Sequence, residues 1–297
     1  GRLSSMSNKI TKSLVYFVSL ITLLLGQSAF AAYIHHDMTA LGDQVNFNSG
    51  GDLSAVAYVP TTSEGSGSGV FPSFLKLGSI NKNSPYKGAP YNGGVTEGYN
   101  SNNIDRNGDM YQDANNSATH THALLLADIP TVKIGNRDYI EVLLDVNEPN
   151  GGDPFLAIND IRLYSHEDPT LSGYDDAAKT LGGVTAAWDM DGYGDDHDLL
   201  LDYSHYSGSG NPDMVLLIDS SLFTGGDYVS LFMRAGIENI NNQGDHESGF
   251  EEWGIGADGV PFTITPPKAV PVPASALLFG SALLGFMGLR RRLSRTA

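Results

Sequence analysis

The sequence predicts a mostly β protein, an antiparallel β-sandwich of jelly-roll type with long loops rich in Gly and Asn. No helical periodicity is sustained between residues 32 and 267, and short apolar segments rich in Val, Ile, Leu, Tyr and Phe recur instead. Gly, Asn, Asp and Pro separate these segments. Many short strands between turn clusters favour a sandwich over an α/β domain. A helix-poor α+β domain is the alternative.

Eight segments are predicted strands because each is short and enriched in aliphatic and aromatic residues. They are residues 45–47, 54–59, 122–126, 139–146, 155–164, 199–204, 214–218 and 228–234. Residues 150–154 (Asn-Gly-Gly-Asp-Pro) separate two of them and predict a hairpin turn, since Gly and Asn tolerate positive φ. Residues 224–227 form a similar break. Residues 78–116, poor in aliphatic side chains, predict a long loop.

Charge and composition exclude several classes of function. The chain has 297 residues, with 17 Lys and Arg against 34 Asp and Glu, and its net charge of −17 argues against nucleic acid as a partner. The absence of cysteine excludes disulfides, thiolate catalysis and Cys-ligated zinc. All acidic residues lie between Asp37 and Asp258, whereas three basic residues precede residue 13 and four follow residue 289. The two ends therefore differ in charge from the acidic body, and we expect them to have a different role.

The N-terminal end predicts a secretory signal peptide over residues 1–31. Met6 is the expected start and residues 1–5 an upstream extension. The signal consists of the basic residues Lys9 and Lys12, the apolar run 14–25, and the small residues Ala29 and Ala31. These features occur in the order that signal peptidase requires, so the mature chain is expected to start near Ala32. A buried core helix is the alternative.

The C-terminal end predicts a short membrane anchor. An acidic ectodomain over residues 32–262 is followed by a proline-rich linker at 263–273 and an uncharged apolar stretch at 274–289. The basic end, residues 290–297, would stay on the cytoplasmic side. It contains Arg290, Arg291 and Arg292. A plain single-pass anchor would place the body on the same side of the membrane.

Residues 270–297 resemble the PEP-CTERM sorting signal of Gram-negative bacteria, with Pro271-Val272-Pro273, an apolar segment and a basic end. The resemblance implies processing by exosortase, a membrane transpeptidase-like protease, during export to the cell surface or the extracellular polymer matrix. Val272 stands where the usual motif has Glu. Segments 142–148, 156–164, 208–214 and 249–253 look like segments of uncharacterised surface proteins of this class, which adds no chemistry.

An acidic segment over residues 189–198 is the strongest candidate metal site. It contains Asp189, Asp191, Asp195, Asp196 and Asp198, with Gly192 and Gly194 allowing tight turns. Because Ca²⁺ takes six to eight oxygen ligands, the sequence predicts a Ca²⁺ site in which Asp196 or Asp198 completes the shell. The segment is not an EF-hand, since position 12 is Leu200. A solvated acidic loop is the alternative. A weaker candidate cation loop contains Asp105, Asn107 and Asp109.

Other chemical signals are sparse. His120 and His122 would share one side of a strand, but no third metal ligand is evident. Glu251 and Glu252 beside Trp253 suggest a glycosidase, although neighbours on a strand point to opposite faces and cannot flank one bond. Four tyrosines in polar stretches could line a sugar-binding face. They are Tyr86, Tyr91, Tyr99 and Tyr111.

Together these features predict an exported protein with a structural or adhesive role in the envelope or the polysaccharide (biofilm) matrix. Signal peptidase and exosortase are its expected processing partners, and extracellular polysaccharide is a candidate ligand. One alternative is a Ca²⁺-dependent carbohydrate-binding module, and a second is a secreted glycan-active hydrolase. No Gly-x-Ser-x-Gly, His-Glu-x-x-His or phosphate-loop motif supports an enzyme.

Overall fold

A computed structural model describes ten stretches of the chain. They are residues 32–49, 51–61, 72–78, 94–103, 118–147, 154–192, 194–206, 210–237, 243–245 and 249–256. Strands hold 56% of them, so the mostly β prediction is confirmed. The predicted signal peptide, linker and sorting tail lie outside these residues. Within the described residues no helix is long and apolar enough to cross a membrane.

Seventeen strands and three short 3-10 helices make up the described structure. In chain order the strands are β1 (Ala32–Met38), β2 (Gln44–Ser49), β3 (Asp52–Tyr58), β4 (Ser73–Leu77), β5 (Thr96–Tyr99), β6 (Leu124–Leu125), β7 (Thr131–Ile134), β8 (Arg137–Asn147), β9 (Phe155–His166), β10 (Tyr174–Asp175), β11 (Thr180–Leu181), β12 (Val184–Thr185), β13 (Trp188–Asp189), β14 (Asp195–Asp202), β15 (Met214–Asp219), β16 (Tyr228–Ala235) and β17 (Phe250–Gly254). The 3-10 helices are Leu126–Asp128, Tyr203–His205 and Ser220–Leu222.

The strands form two large sheets and one small one. Sheet 1 has the order β1-β14-β9-β16-β5, with β13 added to β9 and β6 added to β16. Sheet 2 has the order β2-β3-β15-β8-β17-β4, with β7 added to β8. Strands β10, β11 and β12 form a third sheet, which we call the cover sheet. Strand pairing is antiparallel apart from β1 and β14, which run parallel from Ala32 opposite Asp195 to Met38 opposite Leu201.

The two large sheets pack face to face around one hydrophobic core, which gives a β-sandwich. Alternation along each strand directs aliphatic side chains inward, for example Leu199 and Leu201 of sheet 1 and Leu216 and Ile218 of sheet 2. Phe47 of β2 meets Trp188 of β13 edge to face, with ring centroids 5.4 Å apart. Burial of these side chains supplies the main driving force for folding.

A smaller aromatic cluster covers the outer face of sheet 1. Tyr99, Tyr164 and Phe232 project outward from β5, β9 and β16, and the cover sheet adds Tyr174 and Leu181. The Tyr174 and Phe232 rings stack with centroids 3.9 Å apart. The cover sheet is thereby held on sheet 1.

All eight predicted strands coincide at least in part with an observed one, although only Leu124–Leu125 of the predicted 122–126 is extended. The predicted hairpin at 150–154 is wrong, because β8 belongs to sheet 2 and β9 to sheet 1. The break at 224–227 likewise joins strands of different sheets. The predicted loop at 78–116 is wrong for residues 96–99, which form β5 with all four residues buried.

Candidate functional site

Among the described residues, a group of three carboxylates close enough to share a metal ion lies on the outer face of sheet 1. The pairing of β9 with β16 shifts register, so that Arg234 lies opposite Asp160 but Ala235 lies opposite Ile158. This bulge changes the alternation along β9, and Ile158 and Ile161 both reach the core. Asp160 and Arg162 consequently share the outer face.

Three carboxylates meet there around one guanidinium. Asp160 of β9, Asp189 of β13 and Asp191, which follows β13, each offer a ligand atom, and these atoms lie within 4.8 Å of one another. Arg162 contacts an Oδ2 atom of all three. Its Nε donates to Asp189 at 2.9 Å, its Nη1 donates to Asp160, and its Nη2 lies 3.6 Å from Asp191. Arg162 is only 1% exposed, so these ion pairs are buried.

The second oxygen of each carboxylate has a different environment. Asp189 Oδ1 accepts from the Asp191 N–H at 2.9 Å, and Asp191 Oδ1 accepts from the His197 N–H at 2.9 Å. Asp160 is 3% exposed, and its Oδ1 is buried with no hydrogen-bond partner in the described structure. Thus two of the three Oδ1 atoms are satisfied by backbone and the third is not.

A second arginine extends the network toward the cover sheet. Arg234 donates to Glu97 at 2.7 Å and to Asp176 at 3.0 Å, and its Nη1 lies 3.6 Å from Asp160. Lys179 also donates to Asp176, at 2.8 Å. The Tyr174 hydroxyl accepts from Arg162 at 2.8 Å. These contacts connect the cover sheet to β5, β9 and β16 by ion pairs as well as by aromatic packing.

Burial dominates the electrostatics of the three carboxylates. Desolvation raises the pKa of Asp160 to about 6, against the lowering influence of Arg162 and Arg234. Desolvation and the neighbouring Asp160 raise the pKa of Asp191 to about 8. Burial acts in the same direction on Asp176, but Lys179 and Arg234 outweigh it and lower the pKa of that carboxyl to about 2. Asp160 and Asp191 therefore bind a proton more readily than an ordinary carboxyl does.

The structure assembles only part of the predicted Ca²⁺ segment. It brings together Asp189 and Asp191, while Asp195, Asp196 and Asp198 lie along β14 and are not members of the three-carboxylate group. Asp198 instead accepts from His35 Nδ1 at 3.0 Å. The weaker candidate ligands Asp105, Asn107 and Asp109 lie outside the described residues. Asp160 was not predicted, although an Asp-x-Arg pair inside an apolar strand is an available signal for a buried ion pair.

The histidines do not form the predicted pair. Residues 118–121 form a turn and β6 starts only at Leu124, so His120 and His122 do not share a strand face. His120 lies 3.2 Å from the Ser73 hydroxyl. A different pair is found between β1 and β14, where the His36 and His197 rings stack and His36 Nε2 lies 2.9 Å from His197 Nδ1. Desolvation lowers the pKa of both rings.

The glutamates of β17 lie on opposite faces because they are neighbours on one strand. Glu252 pairs with Lys76 of β4 at 3.0 Å and lies across from Asp145 of β8. Asp145 is 1% exposed, and its Oδ2 accepts from the Gly210 N–H at 2.7 Å. Desolvation raises its pKa to about 6. Thus a cross-strand carboxylate pair exists, but one member is sealed from solvent.

Of the four predicted sugar-stacking tyrosines, only Tyr99 is among the described residues. It is 1% exposed, its ring belongs to the aromatic cluster under the cover sheet, and its hydroxyl accepts from the Gly173 N–H at 2.9 Å. A buried ring cannot stack on a sugar.

Comparisons with known proteins found no matching family model, no matching curated protein and no matching solved structure.

Proposed function

We propose that this chain is an exported, exosortase-sorted surface protein of a Gram-negative bacterium, with a structural or adhesive role in the envelope or extracellular matrix. The observation that carries the proposal is the layout of the chain. Two apolar segments flanked by basic residues enclose an acidic body whose described part is a β-sandwich. Terminal segments of this kind are signals for export and sorting and are not part of the folded domain.

The position of the folded body agrees with this layout. All described residues lie between residues 32 and 256, inside the predicted body and before the predicted linker at 263. A β-sandwich within these limits supports an ectodomain over residues 32–262.

The body itself favours a structural role over hydrolysis. Asp145 and Glu252 lie opposite each other on β8 and β17, but a general acid must reach its substrate and Asp145 is only 1% exposed. Arg234 donates to Asp176 and Arg162 donates to the Tyr174 hydroxyl, so both arginines help to hold the cover sheet in place. We further propose that the sandwich is of jelly-roll type, since successive strands β14, β15, β16 and β17 alternate between the sheets.

A charge-reversal variant of the tail tests the proposal. Replacing Arg290, Arg291 and Arg292 with Glu should disturb the orientation of the tail in the inner membrane, so that the protein accumulates unprocessed. The matched control is Arg295→Glu, which leaves the cluster next to the apolar stretch intact. Surface labelling and immunoblotting of cell fractions would show the difference. Normal sorting of the triple variant would contradict the assignment of the tail.

A further inference from the structure

When all three side chains are ionised, the three-carboxylate group of Asp160, Asp189 and Asp191 carries more negative charge than the guanidinium of Arg162 balances. Arg162 provides one positive charge for three carboxylates. Arg234 lies 3.6 Å from Asp160 but bonds more closely to Glu97 and Asp176. Buried carboxylates at this spacing repel one another strongly in a medium of low dielectric constant. The arrangement is therefore suited to an additional cation.

An unpartnered buried oxygen indicates where such a cation would bind. Arg162 uses the Oδ2 atoms, and backbone N–H groups occupy Oδ1 of Asp189 and of Asp191. Asp160 also belongs to the three-carboxylate group and is only 3% exposed. Its Oδ1 is buried and has no hydrogen-bond partner in the described structure. Leaving a charged oxygen buried and unbonded costs free energy that a bound ion would recover.

The chemistry of the donors selects the class of ion. All three donors are carboxylates, and the group contains neither an imidazole nor a thiolate. Hard oxygen ligands suit Ca²⁺ and Mg²⁺ rather than zinc or copper. Ca²⁺ tolerates irregular geometry and completes its shell with water, whereas Mg²⁺ demands a near-ideal octahedron. Three carboxylates from two strands and a turn fit the more permissive ion.

We propose that Asp160, Asp189 and Asp191 bind a divalent cation, with Ca²⁺ as the preferred ion, and that the ion fastens the turn after β13 to β9. Asp189 and Asp191 flank Met190, and Asp160 lies on β9. An ion shared by them links the 189–192 turn to the centre of sheet 1. Asp195, Asp196 and Asp198 are not ligands of this site.

Terbium luminescence on the full-length chain tests the proposal, because Trp188 directly precedes Asp189 and can sensitise a bound Tb³⁺ ion. We expect saturable Tb³⁺ emission that Ca²⁺ displaces, together with a higher melting midpoint in Ca²⁺ than in EDTA. Asp160→Asn should weaken Tb³⁺ and Ca²⁺ binding at least tenfold. Asp196→Asn is the matched control, since Asp196 is exposed on β14, and it should bind as the unaltered chain does.

Two further variants keep the test decisive. If Asp160→Asn fails to fold, Asp191→Asn replaces it, because Asp191 makes the longest contact with Arg162. Trp188→Phe should weaken the emission, leaving the part that Tyr174 beside Arg162 sensitises, while calorimetry still detects Ca²⁺ binding. Absence of both sensitised emission and a Ca²⁺-dependent midpoint would overturn the proposal and leave Arg162 and Arg234 as the counter-ions of the group. Equal loss of binding in Asp196→Asn would also overturn it. Neither result bears on the sorting of the chain.

Discussion

The Trp253 indole N–H on β17 lies 3.1 Å from the sulfur of Met233 on β16, and this contact joins the two sheets through the middle of the core. Both side chains have no solvent exposure. An indole in this position contributes a large apolar area together with a weak hydrogen bond to sulfur. The sandwich therefore depends on a cross-sheet contact at Trp253.

Truncation of this side chain should be severely destabilising. Trp253→Ala is expected to lower the free energy of unfolding by about 3–5 kcal/mol, because it removes buried area and leaves a cavity. Urea denaturation followed by circular dichroism measures the change. Leu125→Ala is the control, since Leu125 is 39% exposed, and it should change stability by only about 0.5 kcal/mol. A loss below about 1 kcal/mol for Trp253→Ala would contradict the proposed core.

Removal of Arg162 should destabilise the outer face of sheet 1. Arg162→Met leaves three carboxylates without their shared cation, and breaking a buried ion pair in this way costs about 3–5 kcal/mol. Arg137→Met is the matched control, because Arg137 is a partly exposed arginine that bonds to Asp52 and Asp219. Its loss should cost much less than the loss of Arg162, because solvent screens exposed ion pairs. Equal losses in the two variants would show that burial does not strengthen the Arg162 contacts.

The buried carboxyl of Asp145 should make stability depend on pH. Its pKa of about 6 in the folded protein exceeds the ordinary value of 3.8, so between these values the folded state binds the extra proton. The free energy of unfolding consequently falls as the pH rises from about 4 to about 6, because the folded state must give up this proton. The total decrease is roughly 3 kcal/mol. Asp145→Asn removes this cost while its amide oxygen can still accept from Gly210.

Denaturation of the Asp145→Asn variant at several pH values checks this expectation. Its stability relative to the unaltered chain should rise between pH 4 and pH 6 and then level off. Asp138→Asn, at an exposed carboxyl paired with Lys133, is the control and should show a much smaller change. If the two chains differed in free energy of unfolding by the same amount at every pH, the raised pKa of Asp145 would be contradicted.

The His36–His197 pair should loosen β1 in acid. A hydrogen bond between two imidazoles requires at least one of them to be neutral, and both pKa values lie below the ordinary 6.5. The stabilisation is present above pH 6.5 and is lost as the pH falls through the lower folded-state pKa values. His35, Asp195, Asp196 and Asp198 are the charged or ionisable groups that influence the two rings.

Hydrogen exchange resolves this effect. We expect the amides of β1 to lose protection as the pH falls below 6.5, after correction for intrinsic exchange, while those of β8 keep theirs. His36→Phe should abolish the pH dependence in β1, and His205→Gln, at a more exposed histidine, should leave it unchanged. Protection of β1 that stays constant over this range would contradict the neutral pair.

Strands with dense aliphatic runs could be predicted from sequence, but several others could not. β5 has the sequence Thr-Glu-Gly-Tyr and is buried only because Glu97 meets Arg234 and Tyr99 packs beneath the cover sheet. A strand whose burial depends on a distant partner leaves little local pattern. The hairpin at 150–154 failed for a related reason, since Gly and Asn specify how the backbone turns and not which strands then pair.

The candidate site was only half predictable. Sequence proximity grouped five aspartates in one segment, but β14 carries Asp195, Asp196 and Asp198 away from Asp189 and Asp191. The third carboxylate, Asp160, comes from a strand 29 residues earlier and reaches the site through a bulge. Neither the bulge nor the pairing of β13 with β9 has a clear local signal.

Mass spectrometry of the mature protein from fractionated cells tests the central claim most directly, because it determines both termini at once. The account predicts a chain that starts at Ala32, ends near the Pro271–Pro273 motif without the apolar stretch, and is found at the surface or in the medium. An intact polypeptide in the cytosol, with residues 1–31 and 274–297 still attached, would contradict it.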